Sequence, residues 1–76
     1  MKDKVLEILA NIRPEFDFSD DVNFIEEGML DSFDVVTLVA DLDSTFGISI
    51  DGIDIVPENF SSIESIINLL GKNGAK

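Results

Sequence analysis

The sequence contains no cysteine, histidine, tyrosine or tryptophan. Without cysteine the chain can form neither disulfides nor thiolate metal sites, so a disulfide-rich secreted scaffold is excluded. Without histidine it lacks imidazole for acid–base catalysis and for metal ligation. Carboxylates, lysines and serines are the remaining catalytic side chains, and no phosphate-cradling glycine loop or calcium loop is present. These absences predict a chain without a metal site that is not an enzyme by itself.

Basic residues are scarce and lie near the two ends of the chain. The chain has five basic and 16 acidic residues, which give a net charge of -11. No basic residue lies between Pro14 and Gly71. Such a field repels nucleic acid and anionic membrane surfaces but attracts basic protein surfaces. A disordered acidic chain is not expected, because 45% of the residues are hydrophobic. The charge pattern therefore predicts basic protein partners and no nucleic acid.

Long apolar runs are also missing. No segment is long enough to span a membrane, and no signal-peptide core follows Met1–Lys4. We therefore expect a cytoplasmic, monomeric protein without membrane insertion. A chain of 76 residues predicts a single domain over 1–76 with a modest core.

Three helices are predicted from apolar periodicity. The first covers about 3–13 and ends before Pro14, the second covers about 32–46 and ends at Gly47, and the third covers about 62–71. The residues expected to be buried on their inner faces are Val5, Ile8, Leu9 and Ile12; Val35, Leu38, Val39, Leu42 and Phe46, with Val36 at the edge; and Ile63, Ile66, Ile67 and Leu70.

The connections between these helices are unequal in length. Residues 14–31 form a long acidic loop whose apolar side chains are expected to pack over the core, with Gly28 supplying a permissive backbone. Residues 47–61 form a second loop with a short helical turn beginning at Pro57. The alternation within 48–56 is compatible with a β-hairpin, but an isolated hairpin is marginal. We therefore expect an extended loop that places Ile50, Ile53 and Ile55 on the core.

The end of the chain completes the predicted fold. Ser61 followed by Glu64 predicts a capping box for the last helix. The tail 72–76 is expected to be frayed. Together these patterns predict an all-α fold, a small antiparallel bundle of three to four helices with a long first loop.

One junction combines a glycine-containing loop with the start of the second helix. Asp31 and Ser32 lie where unpaired N–H groups and the helix dipole favour an anion. A serine at this place is exposed and can carry a phosphate-linked attachment. The simpler alternative is that Asp31 or Ser32 only caps the helix.

The second helix has another partly apolar side, which begins beside that junction. At 100° per residue, Phe33, Thr37, Ala40 and Ser44 cluster there, with Asp34, Asp41 and Asp43 at its margins. A solvated face has no need of a phenylalanine. The side is either a partner-binding face, or Phe33 packs against the long loop.

The segment from Glu27 to Leu38 resembles the prosthetic-group attachment region of acyl carrier proteins. Their usual Asp-Ser-Leu signature here reads Asp31-Ser32-Phe33. The resemblance covers nearly the whole chain, including the first helix, the long loop, Phe46-Gly47-Ile48 and the last helix. The Gly28–Phe33 segment looks closer to D-alanyl and other stand-alone carriers, and Pro57–Ile63 resembles aminoacyl or peptidyl carriers.

The resemblance implies a function. Ser32 would receive 4′-phosphopantetheine from coenzyme A by a holo-synthase, with Asp31 as part of the recognised motif. The arm would carry acyl groups as thioesters for enzymes of fatty-acid, polyketide or related biosynthesis, or alternatively D-alanyl or other aminoacyl groups loaded by an adenylating enzyme. The outer side of the second helix would dock on basic partner surfaces through Phe33, Asp34, Thr37, Ala40, Asp41, Asp43 and Ser44. A more remote hypothesis is an acidic interaction module without a cofactor.

Overall fold

The computed structural model describes residues 1–19 and 22–75, so Asp20, Asp21 and Lys76 lie outside the described residues. The described chain is helical throughout its regular structure and contains no strand, which confirms the predicted all-α class. In chain order its elements are α1 Lys2–Ile12, α2 Ser32–Phe46, a 3-10 turn Gly52–Asp54, a second 3-10 turn Pro57–Phe60, and α3 Ile63–Lys72.

The core forms where α1 packs against both α2 and α3. Leu38 and Leu42 of α2 are fully buried, as the helical spacing predicts. Complete burial of a leucine side chain contributes about 1.5–3 kcal/mol, so these positions fix which face of α2 is turned inward. The other fully buried large side chains are Val5, Leu9, Phe24, Phe60, Ile66 and Leu70.

The long loop between α1 and α2 packs over this core, as expected from its apolar residues. Phe18 and Phe24 are buried and meet edge to face, with ring centroids 5.0 Å apart. The Phe24 amide donates a hydrogen bond to Ser61 O at 2.8 Å, and the Phe24 carbonyl accepts from the amides of Met29 and Leu30. These bonds satisfy buried backbone groups and hold the loop end just before α2.

Two glycines make the changes of direction around α2. Gly28 has a φ of 71° and Gly47 a φ of 64°, both in the left-handed region that favours glycine. The Gly47 amide donates to Asp43 O and closes the C-terminus of α2. Both glycine roles predicted from the sequence are confirmed.

The segment after α2 differs from its prediction. Ile50 is buried, but Ile53 is 80% exposed and Ile55 is also exposed, so the expected burial of these two residues was wrong. The Gly52–Asp54 turn replaces the extended backbone that the alternation suggested. Its buried side chain is Asp54, because Lys72 Nζ donates to Asp54 Oδ1 at 2.7 Å, and this contact leaves Ile53 outside.

The last helix begins one residue later than its capping pattern predicts. Ser62 is the N-cap and accepts from the Ser65 amide at 3.1 Å. The predicted Ser61 box with Glu64 was wrong, because Ser61 ends the preceding 3-10 turn and its hydroxyl donates to Glu58 O.

The inner face of α3 also differs in part from its prediction. Its buried residues are Ile66, Leu69 and Leu70, whereas Ile63 and Ile67 are only partly buried. In the described part of the tail, Asn73 Nδ2 donates to Leu69 O and the Ala75 amide donates to Leu70 O, and the fraying of this tail stays a prediction.

Candidate functional site

The first turn of α2 is closed by a reciprocal capping box. Asp31 is the N-cap, and its Oδ1 accepts from the Asp34 amide at 2.9 Å. Asp34 Oδ2 accepts from the Asp31 amide at 3.1 Å. This arrangement satisfies two of the unpaired donors at the helix start. It assigns the capping role to Asp31 and leaves Ser32 as the first residue of the helix.

Ser32 is exposed, and among the described residues its hydroxyl takes no part in the surrounding hydrogen bonds. Its amide also stands outside the capping box, at the positive end of the helix dipole. An anionic group attached to the Ser32 oxygen would extend into solvent and be stabilised by the positive potential at the N-terminus of the helix. The geometry therefore fits a phosphodiester-linked prosthetic group on Ser32.

Arg13, which the sequence interpretation gave no role, lies directly beside the capping box. Its Nε donates to Asp34 Oδ2 at 2.7 Å, and its Nη2 donates to Asp31 Oδ2 at 3.3 Å. A third, longer contact joins Nη1 to Glu15 Oε2 at 3.5 Å. The signal that could have found it is its isolation, because no other basic residue lies between Lys4 and Lys72.

These contacts set the charge state of the junction. The pKa of Asp31 lies below its ordinary value, chiefly because the carboxylate accepts from the Asp34 amide, with the Arg13 charge adding to this effect. The hydrogen bond to Asp34 raises the pKa of Arg13. The side chain of Asp34 is only 13% exposed. The junction thus presents an ionised carboxylate immediately before Ser32.

The outer side of α2 is an exposed, mainly apolar strip. Phe33 is 83% exposed and Val36 is 65% exposed, and Thr37 and Ala40 complete the i, i+3, i+4, i+7 spacing. Phe33 therefore does not pack against the long loop. Val36 was placed at the edge of the buried stripe by sequence reasoning, although the same helical spacing could have assigned it to this strip.

The acidic residues predicted for the partner-binding face differ in what they contact. Asp34 is held by Arg13, and Asp43 Oδ1 accepts from the Ile50 amide at 3.0 Å across the end of α2. Asp41 and Ser44 are exposed and line a groove of about 290 Å³ on the side of α2 that faces α1. Asp34 and Asp43 thus contribute to internal contacts as well as to the acidic field.

The comparisons with known proteins agree with this geometry. A family model described as "Phosphopantetheine attachment site" matches residues 3–70. The chain belongs to this family of phosphopantetheine-binding carrier proteins. The D-alanyl carrier protein of Bacillus velezensis is 31% identical over 71 residues, which cover 91% of each chain. No solved structure gives a significant match.

Membership of the family confirms the resemblance to carrier proteins found in the sequence. The carrier uses a covalent 4′-phosphopantetheine cofactor and is not itself an enzyme. Carriers of this kind work with a phosphopantetheinyl transferase and with biosynthetic enzymes. None of the helices in the described residues is long and apolar enough to cross a membrane.

Proposed function

We propose that Ser32 is the attachment residue of the carrier. The observation that carries this proposal is the exposed Ser32 hydroxyl at the first position of α2, directly after the capping Asp31. In the transfer, a bond forms between Ser32 Oγ and the phosphorus that bears the pantetheine, and the phosphoanhydride bond of coenzyme A breaks. Adenosine 3′,5′-bisphosphate leaves with the electron pair, and the serine proton passes to a base of the transferase or to solvent.

The chain's own residues prepare the serine for that reaction. Asp31 fixes the start of the helix through the Asp34 amide, so the Ser32 oxygen projects from a defined turn rather than from a mobile loop. The first-turn dipole favours the phosphodiester once it is in place. The bound arm supplies the thiol, which this cysteine-free chain lacks.

The proposed cargo is a small aminoacyl group of the D-alanyl type. The similarity to the D-alanyl carrier protein of Bacillus velezensis supports it, as does Phe33 in place of the leucine of the usual Asp-Ser-Leu signature. The interior offers a third argument. Leu38, Leu42 and Phe60 are fully buried in the core, so a long acyl chain could enter only by displacing packed side chains, whereas a small group on a flexible arm requires no such change.

Two surface grooves of the described residues lie away from the proposed attachment point. One groove of about 400 Å³ runs between the long loop and the start of α3, and includes Ser19, Val22 and Ile67. The other lies between α1 and α2 and includes Lys4 and Asp41. Neither is lined by residues of the Asp31–Ser32 junction.

Two parallel loading assays test the proposal. The holo protein is offered D-alanine with a D-alanine-adenylating enzyme, and in parallel fatty acids of increasing length with an acyl-loading enzyme. We expect D-alanine on the wild type and neither cargo on Ser32→Ala treated in the same way. Preferential loading of fatty acids would replace the small-cargo proposal with the fatty-acid or related acyl role. Cargo on Ser32→Ala would overturn the attachment residue itself.

The proposed docking surface for partner enzymes is the outer strip of α2, made of Phe33, Val36, Thr37 and Ala40. An exposed phenylalanine beside the attachment point provides a large apolar anchor of the kind that dominates interfaces. The net charge of -11 would guide the carrier to a basic surface. Asp41 lies on the same helix as an exposed carboxylate.

A further inference from the structure

Arg13 lies at the point where the end of α1 meets the start of α2. It is the C-cap of α1, and its amide donates to Leu9 O at 2.9 Å, so its backbone is fixed by the first helix. Its side chain reaches residues 18 and 21 positions further along the chain, Asp31 and Asp34. Arg13 is therefore a direct side-chain link from the body of the bundle to the turn that carries Ser32.

The link engages both halves of the capping box at once. Asp31 uses Oδ1 for the Asp34 amide and Oδ2 for Arg13 Nη2. Asp34 Oδ2 accepts hydrogen bonds from both the Asp31 amide and Arg13 Nε. A planar guanidinium can bond two carboxylates in fixed directions, whereas an ammonium acts as a point charge. The orientation of both carboxylates thus depends on Arg13.

We propose that Arg13 is a positioning residue for phosphopantetheine transfer, because it locks the Asp31–Asp34 capping box and so fixes the direction of the Ser32 oxygen. This inference rests on the proposed attachment at Ser32. Arg13 acts through the two aspartates and touches neither the cofactor nor the reacting atoms. Its effect is to hold the first turn of α2 in one conformation when the transferase binds.

A purely electrostatic role for Arg13 leads to a different kinetic result. Removing one positive charge changes the net charge from -11 to -12 and strengthens the attraction of the carrier to a basic enzyme. That change would act on KM. Loss of positioning instead lowers kcat, because the carrier still binds but presents a misdirected nucleophile.

The experiment measures transfer from coenzyme A, with magnesium and a broad-specificity transferase, to wild type, Arg13→Gln, Arg13→Lys and Lys72→Gln. Circular dichroism establishes that each variant is folded at the assay temperature. We expect Arg13→Gln to lower kcat on the order of 10-fold or more with little change in KM, as misplacement of reacting groups does. Arg13→Lys should recover only part of that loss.

Lys72→Gln is the matched control, because it removes the same charge and a 2.7 Å ion pair with Asp54 that lies outside the capping box. It should retain the wild-type kcat. An unchanged kcat in Arg13→Gln, full recovery in Arg13→Lys, or an equal loss in Lys72→Gln would overturn the inference. If Arg13→Gln does not fold, an unchanged kcat in Arg13→Lys is sufficient to overturn the inference. Failure of the wild type to accept the group would instead reject the Ser32 proposal.

Discussion

Arg13 Nε donates a hydrogen bond to Asp34 Oδ2 at 2.7 Å and joins residues that lie 21 positions apart in the sequence. The contact links the end of α1 to the first turn of α2, across the whole of the long loop. Asp34 is therefore a structural anchor as well as a member of the acidic surface. The pair also couples the stability of the bundle to the geometry of the proposed attachment site.

The capping box predicts different stabilities for two neighbouring substitutions. Asp31→Ala should lower the free energy of unfolding by about 0.5–2 kcal/mol, because it removes the N-cap acceptor of α2. Ser32→Ala should change it by less than about 0.5 kcal/mol, as an exposed substitution outside such contacts does. Urea denaturation of both variants measures the difference. Equal costs would show that the cap is assigned to the wrong residue.

Burial on α2 predicts a second contrast. Leu42→Ala should cost about 2–5 kcal/mol of unfolding free energy, since Leu42 is fully buried in the core. Val36→Ala, on the exposed strip of the same helix, should cost less than about 0.5 kcal/mol. Denaturation midpoints at constant m-value give both numbers. A small cost for Leu42→Ala would mean that the inner face of α2 is wrongly identified.

The lowered pKa of Asp31 predicts how stability responds to acid. The folded protein binds this proton less readily than the unfolded chain, so Asp31 stabilises the fold above its unfolded pKa of about 3.9. That contribution is lost as the pH falls through the lower, folded pKa. Asp31→Asn keeps a capping acceptor without the charge and should therefore lose less stability below about pH 4. Identical acid profiles for wild type and Asp31→Asn would contradict the assignment.

The outer strip of α2 predicts a loss of partner turnover without a loss of stability. Phe33→Ser should lower kcat/KM with a cargo-loading enzyme about 5- to 10-fold, as truncation of an interface anchor does, with little change in unfolding. Ile53→Ser, which removes an equally exposed apolar side chain from another element, is the control and should retain wild-type kcat/KM.

Electrostatic steering adds a separate requirement for the wild-type protein. Its kcat/KM with a partner enzyme should fall as the salt concentration rises from about 0.1 to about 1 M, because the Debye screening length shortens from about 10 to about 3 Å. Turnover that is indifferent to salt would argue against steering by the acidic surface. An equal loss in Phe33→Ser and Ile53→Ser would argue against docking on α2.

The helices and the Asp31–Ser32 junction were predictable because local signals determine them. Apolar spacing placed Leu38 and Leu42 inside, and Gly47 marked the end of α2. Local patterns failed where a distant residue decides the outcome. Lys72 draws Asp54 inward and leaves Ile53 exposed, which the alternation within 48–56 does not reveal.

The Arg13 contacts belong to the same class of non-local features. Nothing in the spacing of Arg13, Asp31 and Asp34 along the sequence places them together, because a long irregular loop separates them. Only the packing of α1 against α2 brings them into contact.

Intact-mass measurement after incubation with coenzyme A, magnesium and a broad-specificity phosphopantetheinyl transferase tests the assignment of Ser32 most directly. The wild type should gain the mass of one 4′-phosphopantetheine group, and Ser32→Ala should gain none while remaining folded. No added mass on the folded wild type, or an addition that persists in Ser32→Ala, would contradict the assignment of Ser32 as the attachment residue.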